Sequence, residues 1–137
     1  MKTIREMSQS ELAAYVGSHL AEKGIHVVLT GGAAVSFYVG PKYVSKDIDL
    51  VADWAPKTAA LNKAMAEIGF SKRARYYTHS QTEQLIEILP GPLSVGEQSN
   101  LKAQEIRLST GKLKILSPTD CVKDRLAAFF HWVIPSL

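Results

Sequence analysis

The sequence predicts an α/β (α+β) fold, with helices packed on a mixed β-sheet, and two observations support this fold class. Helical and strand patterns alternate in the first half of the chain, whereas strand patterns cluster in the second half. The 137 residues are 46% hydrophobic, which suffices for a buried core of ordinary size. We therefore expect a single domain over residues 1–137.

Turn and cap residues divide the first half into five elements. Ser8 and Glu11 have the spacing of a capping box, and Gly24 stands where a helix C-terminus is expected. The apolar residues of this helix share one face: Leu12, Ala13, Val16 and Leu20. The elements predicted next are a strand over 25–29, a short helix over 33–38, a strand over 47–52 and a helix from Pro56 to Gly69 with Leu61, Met65 and Ile68 buried.

The second half is predicted to be mainly strand, followed by a final helix. The strands are expected over residues 70–77, 84–89, 103–108 and 112–116. Ser117, Pro118 and Asp120 are typical of a helix start, as N-cap, first-turn proline and acidic third residue. The buried face of this helix is predicted to carry Val122, Leu126, Phe129 and Val133, with Cys121 in a packing role.

Composition excludes several classes of protein. Cys121 is the sole cysteine, so a disulfide scaffold and a cysteine-rich zinc site are both excluded. Neither a membrane-spanning run nor a signal peptide is recognisable, and we expect a cytoplasmic protein. The net charge of +3 is a mild bias that does not indicate a nucleic-acid partner. The densest basic cluster, Lys72, Arg73 and Arg75, is either a phosphate-attracting site or a solvated strand.

The segment Asp47-Ile48-Asp49-Leu50-Val51 is the most informative in the chain. On a strand, residues two apart share a face at a spacing of roughly 6.6 Å, so Asp47 and Asp49 project together while Ile48 and Leu50 face the core. Two neighbouring carboxylates repel one another unless a cation neutralises them. Such a pair favours Mg²⁺, although a strand end with solvated acids is an equal alternative.

Glu87 adds a third carboxylate, because it interrupts the aliphatic run Leu85-Ile86-Glu87-Ile88-Leu89. A buried carboxylate requires a cation, hydrogen bonds or water. If its strand neighbours that of Asp47 and Asp49, the three acids converge as expected for divalent metals in phosphoryl transfer. The alternative is an outward position on an edge strand.

Gly31 and Gly32 connect a predicted strand to a predicted helix. Glycines allow a sharp turn and close approach to a ligand, and amides at a helix start attract anions such as phosphate. An ordinary tight turn is the competing interpretation. Neither a P-loop nor a dinucleotide-binding fingerprint is present.

These motifs, in this order, resemble the nucleotidyltransferase superfamily with its polymerase β-like palm. The similarity lies in Leu29-Thr30-Gly31-Gly32, followed by Ser45-Lys46-Asp47-Ile48-Asp49-Leu50, with the third carboxylate at Glu87. Residues 116–127 also resemble a bacterial branch of small stand-alone proteins related to abortive-infection and toxin–antitoxin nucleotidyltransferases. Relatives of that branch continue into further helices, so the C-terminus is expected to be shortened.

The resemblance implies a metal-dependent enzyme that moves a nucleoside monophosphate from a nucleoside triphosphate to an acceptor hydroxyl. Asp47, Asp49 and Glu87 would be its catalytic and metal-binding residues, with Mg²⁺ or Mn²⁺ as the cation and ATP as the first candidate nucleotide. The residues expected to contact the phosphates are Gly31, Gly32, Ser45, Lys46 and Lys123. The acceptor would belong to a protein, an RNA or a small molecule.

The competing hypothesis is a binding module that retains the fold without catalysis, as an antitoxin-like protein does. Its partner would be a toxin or a second copy of the chain. Retention of all three acids favours the enzyme, whereas the small size and the shortened C-terminus favour the module.

Overall fold

A computed structural model describes residues 2–40, 46–91 and 103–123. Its strands form one seven-stranded mixed sheet in the order β3-β4-β5-β2-β1-β7-β6. The elements are, in chain order, a short 3-10 helix Ile4–Glu6, α1 Gln9–Glu22, β1 Val27–Thr30, α2 Gly31–Val39, β2 Asp47–Ala52, α3 Thr58–Ala66, β3 Ser71–Arg73, β4 Tyr76–His79, β5 Thr82–Leu89, β6 Ala103–Leu108 and β7 Gly111–Leu116. The predicted fold class is confirmed.

Helix α1 begins and ends at the predicted residues. The Ser8 backbone N–H donates to Glu11 Oε1 at 2.9 Å, and the Glu11 N–H donates to Ser8 Oγ at 3.2 Å, which completes the capping box. Gly24, just past the last turn, has a φ of +79°, a conformation that glycine adopts without strain. The predicted apolar face is buried throughout: Leu12, Ala13, Val16 and Leu20.

Strand β2 separates the core from the acidic residues. Its side chains alternate strictly, so that Ile48 and Leu50 are fully buried while Asp47 and Asp49 are half-buried on the opposite face. Helices α1 and α3 cover the face that carries Ile48 and Leu50. The hydrophobic layer therefore fixes the direction in which both aspartates point.

The prediction of a continuous strand over residues 70–77 is wrong. This segment is a hairpin in which β3 pairs antiparallel with β4, and Arg73 lies opposite Tyr76. Ala74 and Arg75 form its two-residue turn, with Ala74 at a φ of +55°. Glycine and asparagine are the residues that normally mark such turns, so the sequence carried no signal for it.

The predicted start of the final helix is confirmed, but the prediction that Val122 belongs to the core is wrong. Residues 118–123 are helical, and the Asp120 N–H donates to Ser117 Oγ at 3.1 Å, as an N-cap requires. Cys121 is buried as predicted, but Val122 is 58% exposed and not part of the core. Leu126, Phe129 and Val133 lie outside the described residues.

Within the described ranges, no helix combines the length and the apolar character that crossing a lipid bilayer demands.

The Glu11 carboxylate predicts a specific dependence of stability on pH. Its pKa is lowered from 4.5 to about 2, first by the side chain of Lys2 and then by hydrogen bonds from Ser8 and Ser109. Because the pKa is lower in the folded state, the stabilisation is complete above about pH 4.5 and is lost as the pH falls towards 2.

We expect Glu11→Gln, which keeps an acceptor for the capping box, to reduce the melting temperature at pH 7 and to narrow the difference from wild type at pH 2–3. Thermal unfolding across pH measures this difference. A constant offset at every pH would contradict it.

Candidate active site

The site is built on β2, which presents two carboxylates from one strand. Asp47 begins the strand and Asp49 lies two residues later on the same face. The two residues of β2 on either side of Asp49, Ile48 and Leu50, are buried beneath the helices. The predicted common orientation of the two aspartates is thus what the strand shows.

Glu87 lies on the strand next to these aspartates. Strand β5 pairs parallel with β2, and Glu87 is the direct register partner of Asp49. Paired residues of neighbouring strands point to the same face about 4.8 Å apart. The condition set in the sequence analysis, that this strand neighbours the strand of the two aspartates, is therefore met. The Glu87 side chain is only 17% exposed.

The glycine turn approaches the same point from β1. Thr30 is the antiparallel register partner of Asp49, and its Oγ1 donates to the Asp49 carbonyl oxygen at 3.3 Å. Gly31 follows with a φ of +65°, and a Cβ at this position would lie 2.7 Å from Asp49 Oδ2. The absence of a side chain at Gly31 therefore makes room for the Asp49 carboxylate.

A cation, Arg75, reaches the row of acids from the turn between β3 and β4. Its Nε lies 3.4 Å from Glu87 Oε2, and its guanidinium stacks 4.9 Å from the centre of the Tyr76 ring. Its Nη2 also donates to Tyr76 Oη at 2.7 Å. The pKa of Arg75 is raised, chiefly by Tyr76 and additionally by the negative charges of Glu87 and Asp47.

The donor chemistry of the two aspartates fits a divalent cation. Asp47 and Asp49 offer carboxylate oxygens, the ligand type that Mg²⁺ prefers, on one face of one strand. In the described part of the chain, no group of three or more His, Cys, Asp and Glu side chains is arranged to hold a metal ion. Metal binding by Asp47, Asp49 and Glu87 together stays a prediction.

The other predicted phosphate contacts differ in their proximity to the acids. Gly32 is the second residue of α2, and Lys46 immediately precedes β2, where its carbonyl accepts from the Leu85 N–H. Lys123 is exposed in the helical segment after β7, a strand that β1 separates from β2. Ser45 lies outside the described residues.

Two contacts of the site were not recognised from the sequence. The predicted strand ended at residue 29, one residue before Thr30, and the hydrogen bond from the Thr30 hydroxyl to β2 depends on a pairing that local pattern does not reveal. Arg75 was noted within a basic cluster, but its contact with Glu87 follows from the unrecognised hairpin.

Comparison with known proteins finds similarity in sequence over part of the chain. Residues 9–69 match a family described as nucleotidyl transferase of unknown function (DUF2204). That segment contains β1, the glycine turn and β2, but not Glu87. No curated protein matches the chain by sequence.

Two solved structures share the fold. An antigenic nucleotidyltransferase-like protein from Paracoccidioides brasiliensis superposes with a TM-score of 0.63 at 18% identity, over 91% of this chain and 69% of that one. ANT(2″)-Ia, in complex with adenylyl-2″-tobramycin, superposes with a TM-score of 0.56 at 14% identity, over 88% of this chain and 75% of that one. The resemblance to the nucleotidyltransferase superfamily is confirmed, whereas the narrower bacterial branch stays a prediction.

Proposed function

Because this chain has the nucleotidyltransferase fold, we propose that it moves a nucleoside monophosphate from a nucleoside triphosphate, with ATP the first candidate, to an acceptor hydroxyl. The observation that carries the proposal is the row Thr30–Asp49–Glu87, which crosses three adjacent strands beside Gly31. A metal-dependent transferase needs carboxylates and a phosphate-accepting turn at one point, and this row supplies both.

In this mechanism Asp47 and Asp49 would hold Mg²⁺ or Mn²⁺. They would thereby place positive charge where it offsets the negative charge of the triphosphate. Backbone N–H groups of Gly31 and Gly32 donate to the phosphates, since they lie at the start of α2. Lys46 and Lys123 would add positive charge for the same phosphates.

Glu87 is the proposed base. The acceptor oxygen forms a bond to the α-phosphorus, the bond from that phosphorus to the bridging oxygen of the β-phosphate breaks, and pyrophosphate leaves. The proton of the acceptor hydroxyl passes to Glu87. The adenylylated tobramycin in the ANT(2″)-Ia complex supports a hydroxyl of a small molecule as one acceptor class, beside protein and RNA hydroxyls.

One observation favours the alternative, a binding module without catalysis. Glu87 is paired with Arg75, so its carboxylate is engaged in an ion pair and is not open to an acceptor hydroxyl. Such a module would act through a partner toxin or a second copy of the chain.

ATP labelled at either the α- or the γ-phosphate distinguishes a nucleotidyltransferase from a binding module. With Mg²⁺ and an extract that supplies the acceptor, we expect label to be transferred from α-labelled ATP and not from γ-labelled ATP, and EDTA to abolish the transfer. Transfer of the γ-label would indicate a kinase. The absence of Mg²⁺-dependent ATP binding, together with a stoichiometric copurifying protein, would contradict the enzyme and support the module.

A further inference from the structure

Arg75 is exposed, yet its place in the hairpin turn brings its guanidinium into contact with an acid of the site. Its Nε contacts Glu87 at 3.4 Å, and the charge of Asp47 also acts on it. The other basic residues of the hairpin lie elsewhere on it: Lys72 Nζ stacks 5.8 Å from the centre of the Tyr77 ring, and Arg73 is exposed on β3. Arg75 is the member of the basic cluster that forms an ion pair with Glu87.

When no metal is bound, a nearby cation stabilises the three acids by reducing the repulsion between them. Asp47, Asp49 and Glu87 lie on one face of two neighbouring strands, so their negative charges repel one another. The guanidinium of Arg75 is always protonated and therefore neutralises Glu87 at any physiological pH. In the absence of a metal, the Arg75 guanidinium therefore reduces the repulsion between the carboxylates, as a bound divalent cation would.

The contact is also easily broken. The Arg75 side chain is 71% exposed, and its 3.4 Å contact with Glu87 is therefore screened by solvent. A guanidinium binds phosphate oxygens through two parallel N–H groups, a stronger arrangement than this one. The Tyr76 ring, with its hydroxyl, keeps the guanidinium next to the site in either state.

We propose that Arg75 is an exchangeable counter-cation of the site: it pairs with Glu87 while nucleotide is absent, and moves to the polyphosphate of the incoming nucleoside triphosphate, which leaves the Glu87 carboxylate open to the acceptor hydroxyl. This inference rests on the proposed function, since it assigns a second role to the substrate phosphates. It makes Arg75 a residue that pairs with Glu87 before the substrate binds and contacts the substrate phosphates afterwards.

Two affinities that move in opposite directions test this exchange. In Arg75→Gln we expect Mn²⁺, measured without nucleotide by paramagnetic resonance, to bind about threefold more tightly, because a competing positive charge is gone. We expect ATP, measured calorimetrically at saturating Mg²⁺, to bind roughly tenfold more weakly, because a phosphate contact is lost. Lys72→Gln removes one charge from the same hairpin and should change neither affinity.

Arg75→Lys completes the test, because it retains the charge without the forked donor. We expect Mn²⁺ affinity to return to the wild-type value while ATP affinity recovers only in part. Weakening of both ligands in Arg75→Gln, or equal behaviour of Arg75→Gln and Lys72→Gln, would overturn the exchange while leaving the proposed function intact. Wild-type protein that binds neither Mn²⁺ nor ATP would overturn both.

Discussion

Replacing Asp49 by Asn is expected to lower kcat/KM for nucleotidyl transfer by ~100-fold or more. Asn has nearly the same shape but lacks the negative charge, and Asp49 is the residue at which β1, β2 and β5 converge. Its carboxylate packs against Gly31 and lies opposite Glu87. The lost charge would otherwise hold the metal against the substrate phosphates, a contribution of several kcal/mol in metal-dependent catalysis.

Asp53→Asn is the matched control for this substitution. Asp53 directly follows β2 and is exposed, at the end of the strand away from Asp47. We expect Asp53→Asn to keep wild-type activity and Asp49→Asn to keep wild-type melting temperature or exceed it, since a like-charge repulsion is removed. Activity retained by Asp49→Asn would exclude Asp49 from the catalytic machinery.

Replacing Gly31 by Ala is expected to reduce activity by about 100-fold with a modest loss of stability. Two effects combine at this position: a φ of +65°, which strains any residue with a side chain, and a Cβ that would lie 2.7 Å from Asp49 Oδ2. The strain amounts to about 1–2 kcal/mol. Because the contacted atom is the far end of a side chain, the carboxylate moves aside, and a displacement of about 1 Å at a reacting centre has an effect of this size.

Gly24→Ala isolates the backbone strain from the contact with Asp49. Gly24 has a similar φ of +79°, but a Cβ there would meet no atom within 4 Å. We expect both variants to melt about 3–6 °C below wild type. Only Gly31→Ala should lose activity. If Gly31→Ala and Gly24→Ala were equally active, the proximity of Gly31 to Asp49 would have no catalytic meaning.

The features that follow from local periodicity could be predicted from the sequence. A strand has two faces, so the alternation of acids and aliphatic residues over 47–52 determines which side chains are buried. The capping box at Ser8 and Glu11 likewise depends on residues three apart. Both were predicted to the residue because nothing distant in the chain is needed to decide them.

The features that depend on distant pairing could not be derived from local pattern. Glu87 lies beside Asp49 because β2 pairs with β5. From the sequence, this pairing could be stated only as a condition for the three acids to converge. The turn at Ala74 and Arg75 lacks the residues that favour a positive φ, so the hairpin and the Arg75–Glu87 contact were missed together. Val122 was placed in the core from helical spacing, but spacing alone does not say which neighbour covers a face.

The matched alignment of β1, β2 and β5 has a consequence for how such a chain tolerates changes of length. One extra residue inside β2 ahead of Asp49 would turn Asp49 towards the helix-covered layer and force an aliphatic side chain outward. Substitution changes a single group, whereas insertion there would invert the chemistry of a whole strand. Among natural variants of this protein, insertions and deletions are expected to avoid residues 47–52 and to accumulate in connecting segments.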